Sequence, residues 1–195
     1  MSASLPLIVG ISGASGAIYG VRLLRHLKDA GITTHLVLSR SAEMTLSYEL
    51  GMSAADARAL AGHSHPIGDV GAAISSGSFR TRGMIIAPCS VKSLAEIASG
   101  VTGSLLSRAA DVVLKERRRL VLMVRESPLH LGHLRNMAAV TEMGAICLPP
   151  VPAFYAHPAS LEEMVDHTLG RAMDLFDIDL SLTRRWDGEN RTRQA

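Results

Sequence analysis

Cysteine is scarce, with only Cys89 and Cys147 among 195 residues. Two thiols make no disulfide framework in a chain of this size, and both sit in apolar runs typical of buried strand ends, so a reducing cytoplasm is the expected compartment. Charge of one sign is also lacking: twenty basic against eighteen acidic side chains leave +2. Much of that excess falls in Lys115-Glu116-Arg117-Arg118-Arg119 and in Arg184, Arg185, Arg191 and Arg193. A nucleic-acid surface needs a broad basic face rather than a helix end and a polar tail, so nucleic acid is not an expected partner. No apolar run approaches the length that spans a bilayer, and the opening MSASLPLIVGISGASG has no basic leader. Neither membrane insertion nor export is expected.

What is present is apolar content enough, at 47%, for one well-buried core. The expectation is a single domain over residues 1–195, with residues 180–195 as a polar tail. Five short apolar runs read as strands buried on both faces: Leu7 to Ile11, His35 to Leu38, Met84 to Ala87, Leu120 to Val124 and Ala145 to Leu148. Amphipathic stretches of helical length separate them: Ala17 to Ala30, Ala42 to Leu50, Val91 to Ala98, Leu105 to Arg117 and Leu129 to Met143, with Leu161 to Phe176 after the last. This alternation predicts an α/β, Rossmann-like or flavodoxin-like three-layer fold with a doubly wound, mainly parallel sheet. The Gly-, Ser- and His-rich stretch from Gly62 to Phe79 fits no element and reads as a loop over the site or an oligomer contact.

Ligands of such sheets sit at the carboxyl ends of the strands. The first of these ends, GISGASGAIYG, follows a strand and opens a helix, where backbone amides and the helix dipole cradle an anion. Its glycines are not spaced as G-x-G-x-x-G and no Gly-Lys-Ser/Thr follows, so a mononucleotide suits it better than NAD or ATP. A tight turn with glycines needed only for packing is the alternative. Hydroxyls gather at two further ends, as Ser39 and Ser41 and as Ser90 and Ser93. They suit phosphate or ribityl groups and equally suit helix caps. Cys89 has no base beside it and reads as a small hydrophobe. Arg125 and Glu126 end the fourth strand just before a helix that begins near Pro128, where a charged pair is either an ion pair or functional. His130 and His133 share a helix face without a third ligand, so no metal is expected. The Pro-rich loop PPVPAFYAHPAS presents Tyr155 ahead of a helix that carries Arg171, a phosphate grip or a rigid connector beside a solvated helix face.

Taken together, GISGASGAIYG, APCSVKSLAEIASG, LLSRAADVVLKERRRLVLMVRESPLHLGHLRNM, GAICLPPVPAFYAHPAS and Arg185-Trp186 resemble the UbiX/Pad1 flavin prenyltransferases, in that family's motif order from Leu7 to Trp186. The family was formerly described as aromatic acid decarboxylase. The resemblance implies transfer of a dimethylallyl group from dimethylallyl monophosphate to reduced FMN, without a metal, to make prenylated FMN for a UbiD-type decarboxylase. It puts FMN contacts on Gly13, Ala14, Ser15, Ser39, Ser90, Val91, Lys92, Ser93 and Arg125. It puts the prenyl phosphate on Lys115, Arg125, Glu126, Tyr155 and Arg171, some of them from a neighbouring subunit of a homododecamer. It also implies that Arg108 helps to close the site and that Trp186 covers the prenyl chain, and it leaves Ser15, Glu126 and Lys115 as the catalytic candidates. Two other readings are a cysteine decarboxylase of the same architecture and a non-catalytic FMN carrier. The first expects Asn in a loop that here reads Pro88-Cys89-Ser90-Val91-Lys92-Ser93; the second has no use for Lys115, Glu126, Tyr155 and Arg171 together.

Overall fold

The computed structural model describes residues 5–183 and 185. It divides into two compact units, one ending at Pro150 and the other beginning at Val151. The first holds a six-stranded sheet in the order β3-β2-β1-β4-β5-β6, with every neighbouring pair parallel. The strands are β1 (Leu7–Ile11), β2 (Thr34–Leu38), β3 (His63–His65), β4 (Gly83–Cys89), β5 (Arg119–Val124) and β6 (Ile146–Cys147). Every residue of β1, β2 and β4 is buried. That explains why these strands read as continuous apolar runs rather than alternating ones: helices cover both faces of the sheet.

The connecting helices are α1 (Ala17–Asp29), α2 (Arg40–Leu50), α3 (Ala54–Ala59), α4 (Val91–Ala98), α5 (Leu105–Lys115) and α6 (Leu131–Glu142). Serine caps start four of them: the side chains of Ser39, Ser53, Ser90 and Ser104 each accept an amide of the first turn, satisfying donors that no carbonyl of the helix reaches. The sheet is the doubly wound one predicted by the alternation of strands and helices. It gains β3, whose three residues are mostly exposed and so carry no apolar run to announce them. The segment Gly62 to Phe79 thus contains an edge strand and a short 3-10 turn at Ala73–Ser75.

The second unit consists of a 3-10 turn at Phe154–Ala156 and α7 (Leu161–Asp174), capped by Ser160. Among the described residues no helix is long and apolar enough to cross a membrane. The order of the strands has one consequence for function. The chain winds outward from β1 to β3 and then returns to place β4 on the other side of β1. The crevice outside the carboxyl ends of β1 and β4 is therefore the switch point at which such sheets bind ligands.

Candidate functional site

At that crevice Ser12, fully buried, stitches the two strands together: its Oγ donates to the Pro88 carbonyl at 3.0 Å and accepts the Ser90 amide at 2.7 Å. The Ser12–Gly16 loop and the Ser90 turn are thereby held side by side. Gly13 allows the start of α2 to approach, since a Cβ there would collide with the Ser41 side chain. Gly16 turns the chain into α1 with φ +100°, a conformation that glycine adopts without strain.

A cavity of about 300 Å³ opens at this point. Gly13, Ala14 and Ser15 form one wall and Ser90, Val91 and Lys92 another, while Ser41, Arg125 and Glu126 complete it. The volume is at the lower end for small-molecule sites. Of the predicted FMN contacts, seven of the nine positions line it. Ser39 and Ser93 do not: Ser39 caps α2 by accepting the Ala42 amide at 3.0 Å, and Ser93 is buried, taking a hydrogen bond from the Ser90 hydroxyl at 3.2 Å. Ser41, rather than Ser39, presents itself to the cavity.

Arg125 is held at the end of β5 by its amide, which donates to the Cys89 carbonyl at 3.1 Å. Among the described residues no ion pair joins Arg125 to Glu126. Glu126 instead accepts its neighbour's Ser127 amide at 3.0 Å, and the charge of Arg125 acts on Glu49. The following helix begins at Leu131, later than the Pro128 start that the sequence suggested, because His130 serves as its cap and accepts the Gly132 amide on Nδ1 at 3.0 Å. His133 stacks on His130 with ring centroids 3.6 Å apart.

Glu49 was not among the predicted site residues. Its carboxylate accepts the Gly16 amide at 2.9 Å and the Ala17 amide at 2.9 Å, so it occupies the α1 N-terminus, which has no acidic residue in its own first turn. Burial opposes its charge, but the Ser15 hydroxyl, the two amides and Arg125 outweigh burial and hold the carboxyl below its usual range. Ser15 is therefore hydrogen-bonded to a carboxylate, which gives it a proton acceptor. Only the acid's place at the end of α2 hinted at this in the sequence, and the contact spans 33 residues.

The remaining candidates lie elsewhere. Lys115 ends α5, pairs with Glu116 at 2.6 Å and lines a second cavity of about 490 Å³. Arg108 pairs with Asp111 at 2.8 Å. Cys89 is completely buried, which pushes its thiol well above the ordinary range and leaves no thiolate for chemistry. In the second unit, Tyr155 is half exposed and meets the edge of His167 at 5.7 Å between ring centroids. Arg171 pairs with Asp174 at 2.8 Å, and Arg185 binds the same carboxylate at 2.9 Å. Trp186 lies outside the described residues.

Residues 1–178 match the family model described as Flavoprotein. Flavin prenyltransferase UbiX of Escherichia coli strain K12 is 57% identical over 185 residues, which cover 93% of this chain and 98% of that protein. The crystal structure of AnUbiX (PadA1) in complex with FMN and dimethylallyl pyrophosphate superimposes with a TM-score of 0.93 at 50% identity, covering 95% of this chain and 98% of that one. A dodecameric FMN-dependent UbiX-like decarboxylase from Escherichia coli O157:H7 gives a TM-score of 0.91, also at 50% identity, covering 94% and 100%. Strand order, the cradle at the switch point and identity across nearly the whole length agree: the chain belongs to the UbiX family of flavin prenyltransferases.

Proposed function

We propose that this protein transfers a dimethylallyl group from dimethylallyl monophosphate to reduced FMN without a metal, and that residues 1–195 act as one flavin-binding domain. The observation that carries this reading is the cradle at the ends of β1 and β4. There the Gly13–Ser15 turn, the Ser90–Lys92 helix start and Arg125 with Glu126 surround one cavity, inside a chain whose relatives are flavin prenyltransferases. The residues fit a mononucleotide: short hydroxyl side chains and a close glycine turn leave room for a ring system, and Arg125 is not spent on Glu126.

Bound reduced FMN, the acceptor substrate, would supply the nucleophile: its central ring nitrogen would displace phosphate from the prenyl carbon, and protonation of the prenyl double bond with loss of a proton from the adjacent aromatic ring would allow the second bond that closes a fourth ring. The protein's part is to hold, neutralise and move protons. Backbone and hydroxyl donors of Gly13, Ala14, Ser15, Ser90, Val91 and Lys92 hold the flavin, while Ser39 and Ser93 act behind them by fixing the starts of α2 and α4. Lys115, Arg125 and Arg171 neutralise the leaving phosphate, with Tyr155 as a further donor. Glu126 exchanges a proton with the phosphate. Ser15 passes one between the flavin edge and Glu49, to which it is already bonded. Arg108 and Trp186 help to close the pocket.

One chain cannot bring all of these together. Lys115 lies before the amino end of β5 and Arg125 just past its carboxyl end, and six residues of strand place them about 20 Å apart. The site is therefore shared between copies, in a homododecamer like the relative's. The product serves a UbiD-type decarboxylase in the cytoplasm.

Anaerobic incubation of the full chain with reduced FMN and dimethylallyl monophosphate, followed by mass spectrometry of the released flavin, tests the proposal. A flavin heavier by one five-carbon unit supports it; unchanged FMN with both the monophosphate and the diphosphate donor overturns it.

A further inference from the structure

The turn between α5 and β5 carries five consecutive charged residues, Lys115 to Arg119, of which Arg118 behaves unlike its neighbours. Its side chain is 18% exposed, against 47% for Lys115. The turn itself explains the difference. Arg117 adopts φ 56° and its amide returns to the Leu114 carbonyl at 3.0 Å, while the Arg118 amide returns to Val113 at 2.9 Å. This left-handed step closes α5 and sends the Arg118 side chain back toward the segment that precedes β4. There the guanidinium donates to two backbone carbonyls, Nη1 to Phe79 at 2.7 Å and Nη2 to Gly77 at 2.6 Å. The planar fork of arginine suits two such acceptors, and lysine offers no equivalent.

The clamped segment is the floor beneath the Lys115–Glu116 pair. A Cβ at Gly77 would collide with Glu116 Oε1 and come within 2.8 Å of Lys115 Nζ. Gly77 is thus bare backbone pressed against the pair, and the hydroxyls of Ser76 and Ser78 bracket it at 2.9 Å from each other. Glu116 takes its hydrogen bond from Lys115 at 2.6 Å and lies 3.9 Å from Arg118. A free lysine side chain carries considerable rotamer entropy, much of which is already lost when the ammonium is held in place before a ligand arrives.

We propose that Arg118 is a positioning residue for Lys115: by clamping the Gly77 and Phe79 carbonyls it sets the backbone floor on which Glu116 holds the Lys115 ammonium, ready to meet the phosphate of a prenyl donor. This rests on the reading of Lys115 as a phosphate partner. The exchange is one of ion pairs: the incoming phosphate takes the ammonium, and Glu116 retains Arg118 nearby as a second cation, so no carboxylate is left facing the dianion without a counter-charge.

The chain contains three lysines, Lys28, Lys92 and Lys115, which makes a direct measurement possible. Brief acetylation of the assembled full-length protein by an amine-reactive ester, read by mass spectrometry, compares the parent with Arg118→Gln, Arg118→Lys and Gly77→Ala. The alanine methyl falls on the far ends of flexible side chains, so it displaces the pair without unfolding the segment. Labelling of Lys115 rises several-fold in Arg118→Gln and Gly77→Ala while Lys28 and Lys92 are unchanged, and Arg118→Lys, reaching one carbonyl, falls between. The KM for dimethylallyl monophosphate rises about tenfold, equivalent to 1.4 kcal/mol, while the Kd for FMN stays at the parent value. Lys115 labelling equal to the parent's in both disruptive variants overturns the clamp. Should the parent itself form no prenylated flavin, the transferase reading falls and the labelling alone decides for or against the positioning.

Discussion

At its carboxyl end β5 delivers Arg125 and Glu126 into a cavity where they ignore each other, whereas at its amino end Lys115, Glu116 and Arg118 are knitted into pairs and backbone clamps. Both ends set basic side chains beside a glutamate. What differs is the supply of close internal partners: the α5–β5 turn has a neighbouring segment whose carbonyls take the Arg118 guanidinium, whereas among the described residues Glu126 accepts only the Ser127 amide and Arg125 acts on Glu49 through its charge. Charge that faces a cavity without a close ion pair is free to meet a ligand, and this is the physical reason to look for chemistry at the Arg125 end and for preparation at the Lys115 end.

The sharpest way to break this contrast is to neutralise the open end. Glu126→Gln keeps the size and the hydrogen bond to the Ser127 amide but removes the proton-exchanging group. Turnover falls by about 10²–10⁴-fold, the range for a lost general acid or base, while FMN binding persists. Flavin product quantified by mass spectrometry checks this, and parental turnover in the variant ends the proton assignment. Gly13→Ala ranks next. Its methyl collides with Ser41 at the start of α2, so the cradle must widen at a cost of about 1–3 kcal/mol. Calorimetry then shows a drop in Tm of roughly 2–4 °C per kcal/mol for a chain of this size, together with weaker FMN binding. An unchanged Tm shows that the two loops have slack.

Glu49 sharpens the comparison from the other side, because it is a charge of the open end that does have an internal partner. Its carboxyl is held below the usual range, so it binds fewer protons folded than unfolded. Its contribution is fully present above the ordinary carboxylate pKa and is lost as pH falls through the depressed one. Glu49→Gln removes a charge worth about 0.3–1 kcal/mol at a helix N-terminus and flattens the acid limb of the stability profile measured by urea unfolding. A profile with the parent's slope shows that the α1 amides need no charge.

The sequence made the open end legible and the knitted end illegible, for one reason. Gly13 to Ser15, Ser90 to Lys92 and Arg125 with Glu126 each follow directly on a strand that an apolar run betrays, and the rule that parallel sheets bind ligands at carboxyl ends does the rest. Strand β1 was found at its observed bounds, and β4 and β5 within two residues of theirs. Glu49 to Gly16 and Arg118 to Gly77 join positions 33 and 41 residues apart, and no local spacing encodes such contacts. β3 escaped because its His-Ser-His has no apolar signature, and α3 because six residues make too short a period.

That missed strand carries a pH effect of its own. On the β2–β3 edge, His35 Nδ1 meets His65 Nε2 at 2.9 Å, the ring of His63 lies 4.6 Å from that of His35, and Phe79 closes the cluster edge-on at 5.1 Å. Here the partners are other aromatic rings, a third way of treating titratable groups. Burial foremost, and then the charges of His63 and His65, lower His35 from 6.5 to about 4. His65 is lowered as well, by burial and by His63, against an opposing pull from Asp69. The unfolded chain therefore binds more protons than the folded one between these two values, so stability is full above 6.5 and declines as pH falls toward 4. His35→Leu removes the titrating ring while keeping the site apolar. Urea unfolding at about pH 7.5 and about pH 5 shows the parent losing on the order of 1 kcal/mol more than the variant over that interval. Arg118 holds the Phe79 carbonyl at any pH in this interval, so equal losses in the two proteins would mean that His35 does not set the pH dependence of this edge.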